Sequence, residues 1–295
     1  MEISIYYIML FEKGSVKYLQ IQTIDLCNSR CEFCPNRYRQ QTGHIMEDEV
    51  FEKILKETKS FLVEDPQIVF HLENEPLLDK KLFKRMQLAR SVFSNPETEI
   101  FMSSNGILAE KYKEEIINIP NLYNFMQYGK NYKTFNKFTK HNISKENFNK
   151  MVEINEEIIS RINYLNHNTN QKKGAKKHIP NKSSRLVPGK NCLSRAGFLD
   201  GWKIKYKGDG GYCSKKEPWK YFNFLADGSM ILCSMDYIKE SVLGNIKYQT
   251  LNEILNSKRT HSIIKKARGE INSEENFICK RCKYFKNKHL RLESV

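Results

Sequence analysis

Apolar and polar residues follow one another along the first half of the chain in a rhythm that switches between a period of two and a period near 3.6. Tyr18 to Leu26 alternates as a strand does, with successive side chains on opposite faces. Glu47 to Leu62 sets Phe51, Ile54, Leu55 and Phe61 at helical spacing, and Gln67 to Leu72 returns to a short β pattern. Leu82, Met86, Ala89 and Val92 mark a second helix, Glu99 to Ser103 a strand, Glu110 to Ile119 a helix, and Leu122 to Gln127 a further strand. A helix from about Lys145 to Ile159 leads into Arg161 to Leu165, which reads as the next strand. This order predicts βα units around a parallel sheet, because parallel neighbours need a long crossover between them. In such sheets the chemistry gathers in loops that leave the carboxyl ends of the strands.

The rhythm breaks from about Asn166 to Lys190, a stretch rich in Lys, Asn and Pro that predicts a boundary or a lid. Beyond it, Tyr221 to Leu225, the turn from Ala226 to Ser229, and Met230 to Cys233 predict a β-hairpin, followed by a helix near Thr250 to Asn256. Two units are therefore expected, an α/β domain over 1–185 and a small α+β domain over 186–295.

Composition adds limits. The 295 residues are 40% hydrophobic, which suits a globular core. The apolar stretch Ile3 to Phe11 is broken by Ser4 and is far short of the roughly 20 residues a bilayer requires. It also lacks the flanks of a secretory signal, so a cytoplasmic protein without a membrane partner is expected. The net charge of +15 would attract phosphate, nucleic acid or an acidic peptide. Its lysines are spread along the whole chain, however. The one dense run, Lys172, Lys173, Lys176 and Lys177 around Gly174, sits among Asn and Ser and reads as a solvated loop, so nucleic acid is not the expected partner.

Cysteine placement changes the picture more. Eight cysteines in a reducing compartment point to metal or redox chemistry before disulfides. Cys27, Cys31 and Cys34 offer three thiolates from one short loop after a predicted strand. A structural zinc site wants four closed ligands, whereas a four-iron cluster held by three cysteines leaves one iron open to a small molecule. His44, beside Gly43, is the nearby candidate for a fourth ligand and reads as a loop residue. Cys213, Cys233, Cys279 and Cys282 form a second set that could close around zinc or a cluster. A zinc ribbon brings two Cys-x2-Cys knuckles and this set has one, which weighs against zinc.

The spacing Cys-x3-Cys-x2-Cys, with Phe33 before the third cysteine, resembles the signature of radical S-adenosylmethionine (SAM) enzymes. The resemblance runs from about Tyr18 to Leu165. Glu75 in His71 to Asp79 matches the acidic residue of a Gly-Gly-Glu-Pro-like stretch near the SAM amino group, with Glu73 and Asn74 in place of the two glycines. Ser104, Asn105 and Gly106 resemble a Thr-Asn-Gly turn, and Tyr128 to Tyr132 a loop near the SAM ribose. The order of Cys213, Asp227-Gly228, Cys233, the Leu243 to Ile246 segment and the Cys279/Cys282 pair is similar to the SPASM/twitch auxiliary domain. The resemblance implies a partial (β/α)6 barrel followed by a small twitch-like domain. It implies a SAM-binding 4Fe–4S cluster on Cys27, Cys31 and Cys34, an auxiliary 4Fe–4S cluster on the second set, and SAM held near Phe33, Glu75, Ser104, Asn105 and Tyr128.

The reaction implied is cleavage of SAM to a 5′-deoxyadenosyl radical that abstracts a carbon-bound hydrogen, with an electron donor such as flavodoxin or ferredoxin. Dehydrogenation of a small polar molecule, a cyclitol or aminosugar, or of a peptide residue is the expected outcome. Only a short segment precedes Cys27, without room for a leader-recognition domain, which tilts the expectation towards the small molecule. An epimerase or peptide maturase using Cys192 as a thiol hydrogen donor is the alternative within the same chemistry, with Arg195 nearby as a candidate anion partner. A zinc-stabilised nucleic-acid-binding protein is the alternative from another class.

Overall fold

The structure is a computed structural model and describes residues 11–168, 176–178, 211–213, 220–282 and 284–287. The first strand, β1 (Val16–Ile21), leads through the cysteine loop to α1 (Asp48–Thr58), β2 (Leu62–Val69), α2 (Leu82–Val92), β3 (Glu99–Ser104), α3 (Lys113–Asn118) and β4 (Leu122–Met126). Then come α4 (Tyr132–Thr139), the long α5 (Lys145–Asn168) and β5 (Lys176–His178). The C-terminal part contributes β6 (Gly211–Cys213), β7 (Tyr221–Phe224), β8 (Ser229–Ile231), β9 (Val242–Asn245), α6 (Leu251–Asn256), α7 (Lys258–Arg268), α8 (Ile278–Arg281) and β10 (Phe285–Asn287).

One sheet runs in the order β5-β4-β3-β2-β1-β7-β8-β9, and β6 pairs with β10 in a separate ribbon. Every neighbour from β5 to β7 is parallel, whereas β7, β8 and β9 are antiparallel. The expected α/β partial barrel with a small hairpin-bearing α+β unit is therefore present. Its sixth parallel strand is unexpected: β7, which opens the hairpin, lies beside β1 with Tyr18 opposite Tyr221 and Ile21 opposite Phe224. The hairpin thus closes the edge that β1 would otherwise expose. The junction expected at 185–186 lies outside the described residues.

Arg161 to Leu165, expected as a strand, is part of α5. Asn155, Ile158, Ile162 and Asn166 are all buried and recur every three or four residues, so one helical face continues through this segment. A short apolar run cannot be told from a strand when taken by itself. The fifth strand is instead β5, within the basic run that reads as a loop; its backbone pairs with β4 from Asn124 to Met126. Three helices, α4, α7 and the short α8, had no counterpart in the sequence pattern. α4 begins in a capping box between Asn131 and Thr134, and α7 runs from the Ser257 cap to Gly269 in the left-handed region.

Period-two alternation divides the strands into two faces. Leu19, Ile21, Ile100, Met102, Tyr123 and Phe125 are fully buried. Gln20, Phe101, Ser103, Asn124 and Met126, the residues between or after them, line a cleft. The buried set belongs to a single core that also contains Phe222, Met230, Leu243, Ile254 and Ile264, so the C-terminal strands and helices share it. A guanidinium ties the other end of the first two units together. Arg85, buried on α2, donates to Asp79 at 2.8 Å and Asp48 at 2.8 Å, and also to the Met46 carbonyl.

Candidate active site

The cysteine loop leaves β1 and is held at three points. The Cys27 N–H donates to Gln41 Oε1 at 3.0 Å, and the Arg30 and Glu32 N–H groups donate to the Thr139 and Phe138 carbonyls at the end of α4, at 3.0 and 2.9 Å. Cys34 then precedes a single 3-10 turn, Pro35–Arg37, whose proline sits where an N–H would have no partner. The loop is thereby a cradle rather than a free hairpin.

Burial and mutual repulsion govern its thiols. Burial pushes the Cys27 thiol up to about 12, with the Glu75 carboxylate and the neighbouring Cys34 adding to it. Cys31 is raised well above its ordinary value by burial and then by Cys34 and Cys27. Cys27 and Cys31 therefore hold their protons until positive charge enters the loop. A metal centre supplies such charge and deprotonates coordinating thiols. Among the described residues no three His, Cys, Asp or Glu side chains converge tightly enough to hold a single metal ion. A four-iron cluster does not ask for convergence, since each cysteine binds a different corner. His44 is exposed and away from the cleft, and its N–H donates to Thr42 Oγ1 at 3.2 Å.

The ends of β2 and β3 build the opposite wall. Glu75, buried and with its own N–H donating to the Leu26 carbonyl at 3.0 Å, accepts from Ser104 Oγ at 2.8 Å, the Asn105 N–H at 2.9 Å and the Leu77 N–H at 3.2 Å. Asn105 Nδ2 reaches back to Asn28 Oδ1 at 2.8 Å and Ser29 Oγ at 3.0 Å, inside the cysteine loop. Ser29 in turn meets His141 Nε2 at 2.9 Å. Gly106 makes this turn possible. It adopts φ +79°, and a Cβ there would run into the Phe125 ring and come within 2.7 Å of Asn155 Nδ2. The Asn28, Ser29 and His141 contacts carry no sequence signal, because they depend on three separate loops meeting.

The two walls enclose one cleft of about 560 Å³. The sequence-predicted Cys27, Cys31, Phe33, Cys34, Glu75, Ser104, Asn105 and Tyr128 all line it. Phe33 and Tyr128 touch, with ring centroids 4.7 Å apart. His71 also faces the cleft and accepts the Ser103 N–H on Nδ1 at 3.1 Å. Among the described lining residues the charged ones are Glu73 and Glu75; no lysine or arginine lines the cleft of this basic chain. From the C-terminal part, Ser234, Met235, Tyr237 and Tyr284 complete the wall.

Those four residues flank the second cysteine set. Cys213 ends β6 opposite Phe285 of β10, and the Phe285 N–H donates to the Cys282 carbonyl at 3.1 Å. Cys279 lies on α8, and Cys233 follows β8; both pack against Met235 and Ile278. Burial raises the Cys279 thiol well above its ordinary value, followed by the charges of Cys233, Cys282, Cys213 and Asp236. The four cysteines are therefore electrostatic neighbours despite their separation along the chain. Asp236 fixes the turn after Cys233 by accepting from the Ser241 N–H and Oγ, each at 2.6 Å. Cys192 and Arg195 lie outside the described residues.

Comparison with known proteins bears on this arrangement. A model of the radical SAM superfamily matches residues 21–168, half of the chain, and a model of SPASM, an iron–sulfur cluster-binding domain, matches residues 213–283. No curated protein matches the chain. Among solved structures, BtrN in complex with AdoMet and 2-DOIA is similar at 18% identity, covering 94% of this chain and 95% of that one with a TM-score of 0.64. Native anSMEcpe with AdoMet and a Cp18Cys peptide is similar at 17% identity over 90% and 86% of the two chains, TM-score 0.54. Streptococcus suis SuiB bound to S-adenosylmethionine follows at 11% identity over 92% and 71%, TM-score 0.50. At such identities the likeness speaks for the fold alone. The two domain matches bring with them a SAM-binding four-iron cluster and an auxiliary cluster. By its match over half its length, the chain belongs to the radical SAM superfamily and carries a C-terminal SPASM domain.

Proposed function

We propose that this enzyme dehydrogenates a small, polar, hydroxyl-bearing molecule, a cyclitol or aminosugar, by abstracting a carbon-bound hydrogen. The observation that carries this reading is the position of the cleft, bounded by the three-cysteine loop on one side and by the residues beside the second cysteine set on the other. Bound there, SAM and its cluster would supply a 5′-deoxyadenosyl radical. The chain would hold that cluster on Cys27, Cys31 and Cys34 and the auxiliary cluster on Cys213, Cys233, Cys279 and Cys282. Glu75 braces the Ser104 to Gly106 turn, which with the touching Phe33 and Tyr128 rings would help to hold SAM.

The lining argues for the substrate class. Among the described lining residues, amides, hydroxyls and one imidazole, from Gln20, Ser103, Asn124 and His71, offer hydrogen bonds without cationic charge, which favours a polyol or amine over a phosphorylated compound. BtrN, solved with 2-DOIA, has the same fold. A second reading is modification of a peptide residue, favoured by anSMEcpe, which shares the fold and is solved with a peptide. The first electron would come from a donor such as flavodoxin or ferredoxin.

Anaerobic reconstitution followed by SAM-cleavage assays against candidate polyols, aminocyclitols and peptides tests the reading. Substrates deuterated at the carbinol carbon should pass deuterium into 5′-deoxyadenosine and emerge two hydrogens lighter. Incorporation of solvent deuterium at an otherwise unchanged carbon would mean epimerisation. Absence of SAM cleavage with every reductant would remove the radical chemistry altogether.

A further inference from the structure

Four neighbouring strands place one residue each in a level row. Tyr221 of β7 lies opposite Tyr18 of β1, Tyr18 opposite Gln67 of β2, and Gln67 opposite Glu99 of β3. Residues two apart on a strand share a face, so this row stands beneath Gln20 and Phe101, and Phe101 in turn beneath Ser103. Gln20, Phe101 and Ser103 all line the cleft, whereas of the described residues in the lower row Tyr221 alone does so. The cysteine loop bounds the other end, beyond the carboxyl end of β1. The row is therefore the floor.

The floor is joined in pairs. The Tyr18 and Tyr221 rings stack with centroids 4.3 Å apart and planes at 9°, and Gln67 donates to Glu99. With one face covered by Tyr18, the Tyr221 ring is blocked on the β1 side and gives the cleft only its other face and its edge. Tyr18, Gln67 and Glu99 stand outside the cleft lining yet are only half-buried, so the floor is one side chain thick. The cleft of about 560 Å³ has to take SAM and substrate together. Sites for one small ligand alone run to about 300–1,000 Å³, so SAM leaves room for little more than a single ring.

We infer that Tyr221, braced by Tyr18, is the specificity-determining floor of the cleft, admitting a one-ring cyclitol or aminosugar and stopping its two-ring glycosides. This deepens the small-molecule reading above and rests on it. Tyr221 halts the substrate at a fixed depth below the cysteine loop, where SAM would be held, so the floor also decides which substrate carbon comes within reach. A misfit of one methylene in a pocket is worth about 10–200-fold in discrimination, and a whole phenol ring is a larger change than that.

The test measures kcat/KM for oxidised product from a one-ring aminocyclitol and from its glycoside with a second ring. Wild type should prefer the one-ring compound at least about tenfold. Tyr221→Ala should cut that preference at least about tenfold, and Tyr221→Phe, which keeps the ring, should keep most of it. A loss in Tyr221→Phe as large as in Tyr221→Ala would assign the selectivity to the hydroxyl and overturn the floor. An unchanged preference in Tyr221→Ala overturns it too and leaves the dehydrogenase reading intact; wild type that oxidises no cyclitol or aminosugar overturns both. Chemical rescue gives a second reading. p-Cresol, the tyrosine side chain as a free molecule, should refill the gap and restore the preference in Tyr221→Ala, and no restoration rejects the proposal. Should Tyr221→Ala not fold, Tyr221→Trp takes its place: the larger ring raises the floor, so KM for the one-ring compound should rise at least about tenfold, and an unchanged KM rejects the floor.

Discussion

Glu75 and Asn105 join the segments that follow two neighbouring strands: the Glu75 carboxylate, in the loop after β2, accepts at 2.9 Å the backbone N–H of Asn105, which directly follows β3. The Asn105 side chain then hydrogen-bonds Asn28 and Ser29 of the cysteine loop, so one buried acid sets the distance between that loop and the β3 turn. Glu75→Ala would leave the Ser104 hydroxyl and the Asn105 N–H without their acceptor. A loss of about 2–4 kcal/mol in stability is expected from these unmet donors, together with weakened SAM binding. Urea unfolding and equilibrium dialysis with SAM would measure the two.

Gly106→Ala should be more damaging than an ordinary turn substitution. At φ +79° any side chain is strained, and the new methyl would meet Phe125 and Asn155. A cost of about 1–3 kcal/mol is expected for the backbone alone. SAM affinity should fall with it, because the Asn105 side chain is displaced. Unchanged affinity in a folded variant would disprove the link between this turn and the SAM site.

Arg85→Met should strip the buried Asp79 of its cation. Asp79 has a fully buried side chain and sits 2.8 Å from Arg85 Nη1. Removing one partner of a buried pair costs about 3–5 kcal/mol, because the other charge stays behind. Adding Asp79→Asn should recover part of that loss, and thermal or denaturant unfolding of the single and double variants decides.

The two cysteine sets should part company on mutation. Cys31→Ala should leave about four irons per chain of an expected eight and abolish SAM cleavage. Cys279→Ala should also lower iron to about four while retaining reductive SAM cleavage without substrate oxidation. Iron analysis with electron-spin resonance distinguishes these outcomes from a zinc site, in which Cys279→Ala would leave iron unchanged and remove zinc.

Glu73 should make the protein less stable as pH rises. Its folded-state value of about 7 exceeds the ordinary glutamate value of 4.5, so the folded chain holds this proton where the unfolded chain has lost it. The contribution is complete below about 4.5 and is lost as pH climbs through about 7, amounting to about 3 kcal/mol over that window. Comparing urea midpoints of wild type and E73Q from pH 5 to 8 isolates it from other groups. A constant difference between the two would show that Glu73 titrates normally.

Much of the barrel and its first site was written in the sequence by itself. The alternation around Leu19, Ile100 and Phe125 and the helical spacing of Phe51, Ile54 and Leu55 reflect burial of one face, a local pattern that survives without coordinates. Cys27, Cys31 and Cys34 sit on one short loop, so their spacing alone brought three thiols together. Long-range pairing was not legible. Residues 161–165 have an apolar content that suits either period, and only the packing of Ile158 and Ile162 made them helical. Likewise, nothing local tells β7 to lie beside β1 or Cys213 to lie opposite Phe285, because both follow from backbone pairing between distant segments. Glu73 is the sharpest case. The sequence marked it as an acid in place of a glycine, but only the tertiary structure buried its side chain beside Arg39, and burial is what turns an ordinary carboxyl group into one that holds its proton near neutrality.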